Sequence, residues 1–134
     1  MVGSEKEESM RKIIEAGEKG DPSVLFKFLS DDIKYTDAYG IESDKDGLLS
    51  LFTNLSSQWP DREYRLDNWA IKDNTVWVES TNYMTHVNEF QGIPPTNKRI
   101  KNLIVWIMEF QDGKIVEIRE YEKKTEYMIR QLQE

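Results

Sequence analysis

Three side chains in this sequence could move a proton: His86, Asp37 and Glu120. His86 is the only histidine, and an ordinary imidazole changes charge near neutrality, which suits a general base or a group that orients a ligand carbonyl. Alternation along a strand puts it on one face with Met84 and Asn82. The competing reading is a hydrogen-bonded structural histidine. Asp37 closes a predicted strand beside Thr36 and becomes a base if burial raises its pKa. Turn-forming or capping aspartates are the commoner kind. Glu109, Glu117 and Glu120 surround the last predicted hairpin, where two acids on one face could share a proton. The plainer role for such acids is cross-strand pairing with Lys101, Lys114 or Arg119. Tyr35, Tyr39, Tyr83 and Tyr121 each carry a hydroxyl that could polarise a carbonyl or enolate oxygen, although strands also use tyrosine for packing.

Aromatic residues could supply the walls of an apolar cavity: Trp59, Trp69, Trp77 and Trp106, with Phe28 and Phe52. Four tryptophans suit a core or a dimer face equally well. Trp106 is the best wall candidate, because its strand is apolar on both faces. The candidate ligand contacts are therefore Trp106, Tyr83, Tyr35, Trp59 and Tyr121. One histidine and scattered carboxylates give no metal-ligand spacing, and Gly92-Ile93-Pro94-Pro95 is no phosphate loop. No cofactor is implied.

Composition narrows the field. A chain of 134 residues is the size of one domain and can bury roughly two thirds of its surface without a staple. Zero cysteines exclude thiol nucleophiles and thiolate metal sites, and fit a cytoplasmic location. The 25 acidic against 18 basic residues leave a net charge of −7, which argues against nucleic-acid binding. No apolar run approaches a membrane span of about 18 residues, and the charged N-terminus is no signal peptide.

These residues need elements to position them. Met10, Ile13 and Ile14, then Gly17, predict a first helix, with residues 1–8 frayed. Asp21-Pro22 restarts a short helix through Val24, Leu25, Phe28 and Leu29, ended by Ser30-Asp31-Asp32. A short strand is expected from Ile33 to Asp37, followed by a loop through Ala38–Asp44. Asp44 or Ser43 caps a helix built on Leu48, Leu51, Phe52 and Leu55, which Trp59-Pro60-Asp61 stops. Strands are predicted over Tyr64–Lys72, Val76–Phe90, Ile100–Phe110 and onward to Tyr121, with the Asp112-Gly113 hairpin turn between the last two. Leu103, Val105 and Ile107 oppose Ile104, Trp106 and Met108, so that strand is covered on both sides. Lys123–Gln133 closes the chain as a helix. Helices followed by hairpin-linked strands mean an α+β fold with an antiparallel sheet.

The order Gly20-Asp21, Leu29-Ser30-Asp31-Asp32-Ile33, Trp59-Pro60-Asp61, Thr85-His86-Val87-Asn88-Glu89-Phe90-Gln91-Gly92-Ile93-Pro94-Pro95-Thr96, Phe110-Gln111-Asp112-Gly113-Lys114 and Gln131-Leu132 resembles the SnoaL-like polyketide cyclases. The resemblance spans about Gly20 to Leu132. It implies the nuclear-transport-factor-like fold, a cone-shaped curved antiparallel sheet wrapped around N-terminal helices, with Asp37 at the pocket mouth. It also implies a hydrophobic pocket near His86, an apolar small-molecule ligand and a homodimer through the sheet. Relatives on this fold include cyclases, isomerases, hydrolases and proteins that only bind. The cyclases' acid/base Asp falls on Lys123 or Lys124, and a histidine of the family falls on Thr36. Two functions follow as expectations. One is acid–base chemistry of the isomerase or cyclase type on a carbonyl compound, through Asp37, His86 or Glu120 and without a cofactor. The alternative is a non-catalytic ligand-binding or dimerisation module.

Overall fold

A computed structural model describes the backbone of residues 2–123 and 125–134, and the side chains of 8–21, 23–123 and 125–134. Helix α1 spans Val2–Glu18, and a 3-10 helix follows at Pro22–Phe28. Then come β1 (Leu29–Thr36), β2 (Glu42–Ser43), α2 (Lys45–Gln58), β3 (Glu63–Lys72), β4 (Thr75–Thr85), β5 (Arg99–Gln111), β6 (Lys114–Glu122) and α3 (Thr125–Leu132). Met1, part of the segment expected to fray, lies outside the described residues, as do the side chains of 2–7.

The strands form one open sheet in the order β2-β1-β6-β5-β4-β3. Every pairing is antiparallel except β1 with β6, which run parallel, so the sheet is mixed. Two local differences from the sequence reading have simple causes. Residues 22–28 wind as a 3-10 helix, which lets Leu29 enter the sheet at once, and Ser30-Asp31-Asp32 lies inside β1 instead of breaking it. Strand β4 ends at Thr85, where the chain leaves the ladder for an excursion closed by His86 N–H to Lys98 O and Asn97 N–H to His86 O.

The turns follow local chemistry. Asp44 caps α2, its side chain accepting from the Gly47 N–H at 2.9 Å. Asp112 and Gly113 both have positive φ, the primed hairpin geometry that Asp-Gly favours.

Helices and sheet pack in two clusters along the concave face. The larger joins Met10, Ile13, Leu48, Val76, Met108 and Ile118 with their neighbours. The smaller joins Trp59, Met84, Ile100, Met128 and Leu132. The motifs that carried the resemblance mostly build this frame. Asp61 accepts from Thr85 N–H, Thr85 Oγ1 and Arg99, tying the end of α2 to the β4–β5 hairpin. Gln131 exchanges two hydrogen bonds with the Lys101 backbone, fastening α3 to β5. Asn88 donates to the carbonyls of Ser57 and Gln58 at the last turn of α2.

An irregularity in the β5–β6 ladder decides what the interior contains. Glu109 pairs with Glu117 but Phe110 pairs with Ile115, so Val116 has no partner. One extra residue flips the side-chain alternation of the strand. Ile115 is buried on the concave face, and beyond the bulge it is Ile118, Glu120 and Glu122 that point inward. A second irregularity between Leu66 and Asn68 does the same for β3.

Candidate functional site

Between the two packed clusters the concave face is not filled. The space there amounts to about 730 Å3 outside protein atoms, counting the open solvent at its mouth. Its walls are apolar for the most part: Ile13, Leu25, Leu51, Phe52, Leu55 and Trp106 among them. The gap has a sequence cause. Gly17 presents no side chain toward Leu66 and Tyr64, and β4 carries Ser80 and Asn82 where larger apolar residues would close the space.

Four polar side chains and one carboxyl interrupt this wall. Glu120 lines the cavity, opposite Trp106 in the β5–β6 ladder, and the indole Nε1–H donates to its Oε1 at 2.8 Å. Burial raises the Glu120 pKa above the ordinary value; the Trp106 hydrogen bond opposes that rise, and the Asp37 charge adds to it. Tyr35 packs behind Trp106 with ring centroids 6.1 Å apart. Its hydroxyl is buried without a hydrogen bond among the described residues, and burial, then the Glu120 charge, push its pKa up. Glu122, one step along the same face, takes a long 3.4 Å hydrogen bond from Asn102. Burial, then the Glu120 charge, push its carboxyl up to about 7. Arg62, Tyr64, Ser80 and Asn82 line the β3–β4 side. Ser80 Oγ donates to the Ile104 carbonyl, and burial raises the Tyr64 hydroxyl.

The residues singled out from sequence divide sharply. Glu120 and Trp106 line the cavity and touch each other, and Tyr35 stands behind them. Asp37 is near enough to raise Glu120 electrostatically, but its own carboxylate is committed to a turn, accepting from the N–H groups of Tyr39 at 2.8 Å and Ile41 at 3.0 Å. His86 lies on the same strand face beyond Asn82 and Met84, outside the cavity lining, in the smaller cluster. It is 0% exposed. The Thr96 N–H donates to its Nδ1 at 3.1 Å, which fixes that nitrogen as acceptor and puts the proton on Nε2, where no partner is present among the described residues. Trp59 packs against that imidazole and against Phe90, also away from the cavity.

Alternation takes Tyr83 and Tyr121 to the outer face of the sheet. Tyr83 sits under the Arg65 guanidinium, and Tyr121 is 54% exposed. Tyr39 bonds the Thr125 hydroxyl at the surface. Glu109 and Glu117 both pair with Arg119 on the outer face, the cross-strand role. Lys123 is exposed over the Tyr127 ring, and Lys124 lies outside the described residues. Thr36 points away from the Tyr35 side and pairs with Arg119 and Glu42 in the ladder. Among the described residues no three His, Asp or Glu side chains converge as a metal site, and no helix is long and apolar enough to cross a membrane.

Sequence reasoning passed over Arg62, Tyr64, Ser80 and Asn82. A signal existed for two of them: Ser80 and Asn82 interrupt a strand face otherwise made of Val76, Val78 and Met84, and polar residues on a buried face mark a space that is not packed. Arg62 has no such signature.

The SnoaL-like domain profile matches residues 10–118. The crystal structure of IdmH, a candidate polyketide cyclase from Streptomyces antibioticus, is similar with a TM-score of 0.79 at 21% identity, covering 96% of this chain and 99% of that one. AclR, a candidate hydroxylase from Streptomyces galilaeus, gives 0.77 at 23% identity, covering 98% and 87%. A candidate SnoaL-like polyketide cyclase from Jannaschia Sp. CCS1 gives 0.71 at 14%, covering 90% and 86%. At these identities the likeness shows the fold alone. No curated protein matches the sequence.

The raised Glu122 pKa has a consequence for stability. Its folded value near 7 exceeds the ordinary 4.5, so the folded state holds a proton that the unfolded state has lost between those two values. Stability therefore falls as pH rises through that window. Urea midpoints at about pH 5 and about pH 8 should drop in the wild type and drop less in Glu122→Gln. Equal drops in both proteins would show that Glu122 is not the group responsible.

Proposed function

The chain belongs to the SnoaL-like domain family, and on that premise we propose that it binds an apolar carbonyl compound in the concave cavity and exchanges a proton with it through Glu120. The observation that carries this reading is a half-buried carboxyl set in a largely apolar wall and oriented by the Trp106 N–H. A carboxyl with a raised pKa is a stronger base when ionised and remains partly protonated nearer neutrality, which suits both directions of proton transfer. Trp106 holds one carboxyl oxygen and so sets the direction in which Glu120 meets a ligand. Deprotonation beside a carbonyl, or protonation of the resulting enolate, is the step these groups support. It needs no cofactor. His86 and Asp37 are assigned structural work, because the His86 imidazole lies outside the cavity lining with its Nδ1 held by Thr96, and the Asp37 carboxylate is held in a turn.

Binding without turnover is the rival reading, supported by a lysine at position 123, one of the two where the resemblance calls for an acid. The same proposal includes a cytoplasmic location and a homodimer through the outer sheet face. In support of the dimer, Leu103, Val105 and Ile107 of β5 lie on that face with Trp77 and the exposed Tyr121 beside them.

In D2O the protein should speed exchange of the α-protons of 2-tetralone, followed by proton NMR. Glu120→Gln should lower the catalysed rate by about 10²- to 10⁴-fold while leaving the fold intact. A wild-type rate equal to buffer, or an undiminished rate in Glu120→Gln, rejects the catalytic reading. Light scattering should find twice the chain mass for the wild type and the single-chain mass for Val105→Glu. A monomeric wild type rejects the dimer.

A further inference from the structure

One cation in the cavity has no ion-pair partner among the described residues. Arg65, Arg99 and Arg119 each pair with carboxylates, at 2.7 to 3.1 Å. Arg62 makes no ion pair or hydrogen bond with another side chain among the described residues; its guanidinium sits 5.9 Å over the Phe52 ring and lines the cavity. Burial alone accounts for the lowering of its pKa, with no acid offsetting the lost hydration. A guanidinium nevertheless stays charged at any ordinary pH. Asn82 is a second group in the same condition. It is 7% exposed, lines the cavity and makes no side-chain hydrogen bond among the described residues.

A half-buried cation and a buried amide without acceptors are costly unless something else supplies them. The Asn82 register partner Tyr64 lies two residues from Arg62, so the two unpaired donors share one side of the cavity. Glu120 occupies the other side, on β6, with Glu122 beyond it on the same strand face. Strands β3 and β6 are three spacings apart, an arc of about 14 Å along the sheet.

We propose that Arg62 and Asn82 receive the carboxylate of an amphiphilic ligand whose apolar body spans the cavity and whose reacting carbonyl lies against Glu120. This rests on the ligand-binding reading above and names its substrate class: carboxylates of roughly two-ring size that carry a ketone or enol at the far end. The acids on β6 repel the carboxylate and the guanidinium attracts it, so the ligand has one orientation. A planar guanidinium fits a carboxylate in two parallel hydrogen bonds, which a lysine cannot reproduce.

Isothermal titration calorimetry at about pH 8 with 2-naphthoate and methyl 2-naphthoate tests this in wild type, Arg62→Met and Arg62→Lys. In the wild type, the carboxylate should bind at least about tenfold more tightly than the ester. Arg62→Met should lose that preference by weakening the carboxylate about 10- to 100-fold, with the ester changed by no more than about twofold. Arg62→Lys should retain part of the preference. Without ligand, Arg62→Met should melt about 2–4 °C higher, because an uncompensated desolvated cation has gone. Ester and carboxylate binding equally in the wild type would overturn the anion site and leave the apolar cavity standing. An unchanged carboxylate affinity in Arg62→Met would do the same. Failure of both probes to bind would overturn the anion site and the ligand-binding reading together.

Discussion

The extra residue at Val116 is the constraint on which the interior depends. Without it, the alternation that buries Ile115 would continue to Glu117, Arg119 and Tyr121, and the inner wall would hold an ion pair and a phenol. With it, Ile118 seals the core and Glu120 reaches the cavity. A one-residue change of register exchanges every later side chain between faces. Three other features then follow. Trp106, opposite Glu120, finds a partner for its indole N–H. Arg119 moves outside, where Glu109 and Glu117 neutralise it. Tyr121 joins the outer face with Val105 and Ile107.

The price of that arrangement is concentrated at one end of the sheet. Beyond burial, the Glu120 charge raises Glu122, the Asp37 charge raises both Glu120 and Glu122, and the Tyr35 hydroxyl beside them has no hydrogen bond among the described residues. Natural cores avoid such groupings unless they serve a purpose, because a buried polar group without a partner costs about 1–3 kcal/mol. At the opposite side the cation and amide at Arg62 and Asn82 repeat the pattern with reversed charge. Glu120 from the first pole and Arg62 and Asn82 from the second line the same unfilled space. The smaller cluster, which holds Trp59 and residues of α3, packs beside His86, whose Nδ1 is held by Thr96.

Much of the frame was legible in the residues. Asp44 as a cap, Asp112-Gly113 as a primed turn, and the doubly apolar strand around Trp106 are local signals, and the structure contains all three. The α+β class and family followed from the order of motifs. Those motifs proved to be fasteners, which is why they pointed toward His86 and not toward the cavity: Thr85, His86, Asn88 and Thr96 hold the excursion between β4 and β5 onto α2. The site was harder to read because it hangs on a bulge, and a bulge leaves no periodic trace. Tyr121 and Tyr83 looked as eligible as Tyr35 until register assigned them to opposite faces. Glu120 was named among the acids, but nothing in its neighbours Arg119 and Tyr121 separates it from Glu117. The parallel pairing of β1 with β6 was equally silent, since it joins segments distant in the chain.

The proposed function requires Glu120 to be a half-buried carboxyl whose protonation is coupled to Trp106. Its most direct test is a carbon-detected NMR titration of the glutamate side-chain carboxyls, with the Glu120 signal assigned by its loss in Glu120→Gln and the Trp106 indole N–H followed in parallel. The account predicts a Glu120 midpoint clearly above the ordinary glutamate value, and a Trp106 N–H resonance that moves with that midpoint. A Glu120 signal that titrates like a solvent-exposed glutamate, with the Trp106 resonance unmoved, would contradict it.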